Sequence, residues 1–124
     1  MDPLGLKCND ATPPQEGDRD YLVRDPSNLE RSITDIDHIQ DGVLWEEKSA
    51  TNAGDVDRWV EKHVEGKMER YVEARPHLPG YEDAPIGMRF TEPGADPTFQ
   101  AAVEQGMDRV RGRHPDVDFR TEWA

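Results

Sequence analysis

The residues of this chain whose types and spacing could do chemistry lie in the stretch 33–49, reading ITDIDHIQDGVLWEEKS. Asp35, Asp37, Glu46 and Lys48 flank an Asp41-Gly42 pair there. Carboxylates brought together with an amine can bind a hard divalent cation, hold a phosphate beside it and orient a water for attack. Like charges facing each other across two strands destabilise the pairing unless a cation lies between them. What matters first is therefore whether the backbone brings these side chains onto one surface.

Asp-Gly between alternating apolar residues signals a hairpin with a type I′ turn, which needs positive φ at both central positions. With Asp41 and Gly42 as the loop, Gln40 faces Val43, Ile39 faces Leu44, His38 faces Trp45, Asp37 faces Glu46 and Asp35 faces Lys48. Strand alternation then puts Asp35, Asp37, Glu46 and Lys48 on one face and sends Glu47 to the other. Asp37 and Glu46 would sit at a Cβ separation of about 5 Å.

Asp37 followed across the turn by Glu46-Glu47-Lys48 resembles the PD-(D/E)xK signature of restriction-endonuclease-like nucleases. The resemblance implies that Asp37 and Glu46 bind Mg²⁺ or Mn²⁺, that the backbone carbonyl of Glu47 is a third ligand, and that Lys48 orients or activates the attacking water. In that family an acidic residue from a helix before the hairpin commonly completes the site, a part for which Glu30 offers itself. Asp35 competes with Asp37, and the residue before Asp37 is Ile36 rather than the proline of the motif.

The elements that would position these residues follow from periodicity. Residues 21–25 read as a short strand, and 26–30 as a brief helical turn with Ser27 as cap. After the hairpin, Val56, Trp59, Val60, His63, Val64, Met68, Tyr71 and Val72 recur at helical spacing, predicting a helix over 55–74 that Pro76 stops. His63, Trp59 and Tyr71 on that stripe read as packed side chains. Residues 86–92 alternate as a strand. Asp96 caps a second helix with Pro97 at its first position, ending near Gly112, and 117–123 alternate again. Strands interleaved with helices imply an α/β fold, a mixed β-sheet flanked by helices, which the motif makes restriction-endonuclease-like.

Residues 1–20, rich in Pro, Gly and charge, read as a flexible linker, leaving 21–124 as the nuclease domain. Within them Asp2-Pro3-Leu4-Gly5-Leu6 resembles the DPxGL motif that closes the core of Rhs (YD-repeat) polymorphic toxins and marks the junction with a C-terminal toxin domain. That resemblance implies a secreted effector cut from the Rhs core, acting on nucleic acid, DNA ahead of RNA, in the cytoplasm of a competitor. A cognate immunity protein would protect the producer.

Composition constrains this expectation. The 124 residues carry 15 basic and 27 acidic side chains, a net charge of −12 that opposes long-range attraction to nucleic acid. The single cysteine, Cys8, excludes an internal disulfide framework. No run approaches the roughly 18 apolar residues of a membrane span, and no signal-peptide pattern opens the chain. Arg109, Arg111 and Arg113 with His114 cluster at the end of the second helix and are the expected phosphate contact, whereas Lys62, Lys67, Arg70 and Arg75 read as solvated helix surface. The competing readings are a toxin of other chemistry, an ADP-ribosyltransferase or a metal-independent ribonuclease using His38 or His114, and a non-enzymatic acidic binding or immunity module.

Overall fold

The structure is a computed structural model that describes residues 7–124, so the Asp2–Leu6 motif lies outside the described residues. Five strands form one mixed sheet in sequence order: β1 (Arg19–Asp25), β2 (Asn28–Gln40), β3 (Val43–Lys48), β4 (Ile86–Phe90) and β5 (Phe119–Trp123). The first three run antiparallel as a meander, and β3–β4 and β4–β5 are parallel. Parallel neighbours need a crossover, and helices supply both. The first comprises α1 (Val56–Val60), a π-helical turn (Glu61–Glu65) and α2 (Gly66–Ala74), and the second is α3 (Pro97–Arg113). This is the expected α/β class with its mixed sheet.

Local chemistry explains the boundaries. Asp41 and Gly42 have φ of 54° and 76°, both positive as a type I′ turn requires, and Gln40 pairs with Val43 across them. Asp55 caps α1 by accepting the Arg58 N–H, and Asp96 caps α3 by accepting from Thr98 and Phe99 ahead of Pro97. Gly87 is required by packing: a Cβ there would lie 2.3 Å from the Trp45 ring, which also carries the Arg89 guanidinium 4.3 Å from its centroid. The core joins Ile39, Leu44, Ile86, Met88 and Phe90 of the sheet to Val60, Val64, Met68, Phe99, Val103 and Met107 of the helices.

Two expectations are corrected. Residues 26–30 form no helical turn: β2 begins at Asn28 and is 13 residues long, so Glu30 is an exposed strand residue rather than a helical acid. The described part of the proposed linker is packed against the sheet. Cys8 is buried and bridges Leu22, the Leu22 N–H donates to the Lys7 carbonyl, and the Tyr21 hydroxyl donates to the Thr12 carbonyl. Apolar surface on β1, Tyr21 and Val23, needed a cover, and this segment supplies it.

Candidate metal-binding and catalytic site

The central strand β3 sends Leu44, Glu46 and Lys48 toward the helices and Trp45 and Glu47 to the other side, as alternation requires. Its pairing with β2 follows the expected register for three pairs, Gln40–Val43, Ile39–Leu44 and His38–Trp45, and is not continued beyond them. Where the ladder stops, Asp37 Oδ2 accepts the Glu47 N–H at 2.8 Å. A side chain thus stands where a strand carbonyl would.

Tyr71 occupies this fork. Its hydroxyl accepts the Asp37 N–H at 3.2 Å, and its proton lies between Glu46 Oε1 at 2.8 Å and the Trp45 carbonyl at 3.1 Å. The ring is fully buried, and burial, followed by the charges of Glu46 and Asp37, holds the phenol well above its ordinary range, so it remains a donor. Helical spacing identified Tyr71 as a core residue. Its polar role was not visible there, because only the tertiary fold brings α2 under the strand fork.

Glu46 is 3% exposed, and its second oxygen takes Lys48 Nζ at 2.9 Å. Asp37 is half-buried, and its carboxyl is pushed up to about 7. Burial is the main cause; the Glu47 N–H pulls the other way, and the neighbouring Glu46 and Asp35 push it further up. Asp35 bonds Lys67 at 3.5 Å, and Lys48 bonds Glu46, so the expected Asp35–Lys48 pairing across the hairpin is replaced once the strands part. Asp20, Asp35 and Asp37 each offer an oxygen within 4.8 Å of one another. Asp20 escaped the sequence reading because it fell in the presumed linker. It has a positive φ of 52°, a conformation that Asp tolerates better than most residues.

The remaining expected residues lie elsewhere. The Glu47 side chain pairs with Arg19 and Arg89 on the opposite face. Glu30 is exposed on β2 outside this group. Arg109 bonds Glu65, Arg113 bonds Glu65 and Glu69, and Arg111 bonds Asp108 and the Phe119 carbonyl, so each guanidinium of the expected phosphate cluster is engaged within the chain. His114 binds Glu69, and His38 alternates away from Asp37. His63 packs on Trp59 with ring centroids 5.0 Å apart, and burial, then the nearby charges of Lys48 and Lys62, lower its affinity for a proton.

The donor set suits a hard cation: carboxylate oxygens of Asp20, Asp35 and Asp37 converge from two strands, and the Asp37 carboxyl is pushed up to about 7 first by burial and then by the neighbouring carboxylates. No helix among the described residues is long and apolar enough to cross a membrane. Comparison with protein families, curated proteins and solved structures finds no match.

Proposed function

We propose that the chain is the toxin domain of an Rhs-type polymorphic toxin and acts as a metal-dependent endonuclease of restriction-endonuclease-like fold, hydrolysing phosphodiester bonds with DNA favoured over RNA. The observation that carries this reading is the convergence of Asp37, Glu46 and Lys48 on one sheet face at the end of the strand that separates the antiparallel and parallel halves of the sheet. The resemblance of Asp2–Leu6 to the Rhs junction supplies the toxin context.

Asp37 and Glu46 would hold Mg²⁺ or Mn²⁺; Asp35 and Asp20 each bring an oxygen within 4.8 Å of one of Asp37, a group of three that does not include Glu46. Bound there, the cation would neutralise phosphoryl charge and make hydroxide available near neutral pH. Tyr71 keeps the Glu46 carboxylate aimed and blocks re-pairing of the strands behind it. The Glu47 N–H fixes Asp37 by one oxygen and leaves the other for the ion. Lys48, already 2.9 Å from Glu46, is placed to orient the attacking water and to balance charge as it ionises. An immunity protein for so acidic a chain would present a basic surface.

Expression in a sensitive bacterium tests the assignment. The wild type should arrest growth, and Asp37→Ala, Glu46→Ala or Lys48→Ala should not, with each variant folded by circular dichroism. Full toxicity of Glu46→Ala would overturn the site.

A further inference from the structure

A nuclease with a net charge of −12 needs a local route for a polyanion, and the arginines at the end of α3 are engaged elsewhere. Most basic side chains among the described residues pair with carboxylates of this chain. Arg58, Lys62, Arg70 and Arg75 are in none of these ion pairs; Arg75 is tied to the Ala84 carbonyl at 2.8 Å, and Arg70 reaches the Ile33 carbonyl at the longer 3.4 Å. Lys62 and Arg70 line the same open groove of about 480 Å³ between β2 and the first crossover helix, together with Ser32, Thr34, Asp35 and Lys67. Gly66 sits between Lys62 and Arg70 at four-residue spacing and leaves that part of the wall without a side chain. Lys67 is held only by its 3.5 Å pair with Asp35, the carboxylate that joins this groove to Asp37.

We infer that this groove binds the phosphodiester backbone of the nucleic-acid strand being cut, with Lys62, Lys67 and Arg70 as its phosphate contacts. The inference rests on the nuclease reading and names where that site takes its substrate. Positive charge concentrated in one groove of an acidic protein, with Lys62 in no ion pair and Lys67 in a long one, would hold a strand by its backbone where the groove opens onto a carboxylate cluster and deliver a phosphate to the metal ligands. Phosphate oxygens would take Lys67 from Asp35, so substrate binding and freeing of Asp35 coincide.

The test measures anisotropy of a short fluorescein-labelled DNA duplex titrated with the purified chain in EDTA across a salt series, and hydrolysis of the same duplex in Mg²⁺. Each phosphate contact contributes about 0.9 to the slope of log affinity against log salt, so Lys62→Ala/Lys67→Ala should flatten the slope by about 1.8. Between about 50 and 200 mM salt the wild type should lose roughly 12-fold more affinity than this variant. Arg58→Ala, outside the groove, should keep the wild-type slope, and the exposed Lys62→Glu gives a second variant if the double one misfolds. Hydrolysis by wild type with an unchanged slope in the variants overturns the groove and leaves the nuclease standing. A slope that depends on both lysines without hydrolysis supports the groove and removes the nuclease. Absence of both binding and hydrolysis overturns both, and poly-glutamate displacing the duplex as well as unlabelled DNA would assign the groove to an acidic protein instead.

Discussion

Replacing Asp37 by Asn should make the metal-free protein more stable while abolishing its activity. Asn keeps the Oδ acceptor for the Glu47 N–H and removes the charge that burial and Glu46 oppose. The folded carboxyl is raised from its ordinary 3.8 to about 7, so the native state binds a proton that the unfolded chain has released. Stability therefore falls as pH rises through that window, and well below the ordinary 3.8, where both states are protonated, the penalty vanishes. Three units correspond to about 4 kcal/mol, and solvent screening of a half-buried group brings this to about 2 kcal/mol. For a domain of this size the melting temperature of Asp37→Asn should exceed wild type by roughly 6–10 °C at pH 8 in EDTA. The difference should shrink steadily as pH is lowered from 7 and close below the ordinary 3.8. Mg²⁺ should raise the wild-type value and leave the variant unmoved, because only the charged pair binds the ion. A variant less stable than wild type at pH 8, or a difference independent of pH, would refute the strained-carboxylate account.

Tyr71→Phe should lower urea-measured stability by about 1–3 kcal/mol, since it leaves the Asp37 N–H without its hydroxyl partner and withdraws a donor from buried Glu46; it should also reduce nuclease activity at saturating Mg²⁺. Ala at Arg109, Arg111 and Arg113 together should lower stability by about 1–2 kcal/mol through lost ion pairs and leave the salt slope of DNA binding unchanged, as measured by anisotropy. Gly87→Ala should cost about 1–3 kcal/mol in the same urea titration, because the Trp45 ring must leave its place against the backbone.

Local signals made much of the fold legible. The Asp41-Gly42 turn, the caps Asp55 and Asp96, the apolar stripes of both crossovers and the alternation in β4 and β5 each depend on neighbours a few residues away. The hairpin register held where such local rules govern it and failed at the next pair past His38–Trp45, the expected Asp37–Glu46. There a tertiary partner, Tyr71, competes for the strand's polar groups, and no spacing along the chain announces that. Asp20 and the packing of residues 7–18 were hidden for a related reason: Pro, Gly and charge mimic a linker, while the cover they provide is set by apolar surface on β1. The arginines of α3 carried the right chemistry for phosphate, but the acidic residues that take Arg109 and Arg113, Glu65 and Glu69, lie in the first crossover more than forty positions away, whereas Arg111 is held by Asp108 on its own helix.

Incubation of the purified chain with DNA and with total RNA, each in Mg²⁺ and in EDTA, beside Glu46→Gln, tests the central claim most directly. The account predicts cleavage of DNA in Mg²⁺, none in EDTA and none by the variant. Cleavage that persists in EDTA, or a Glu46→Gln variant as active as wild type, would contradict it.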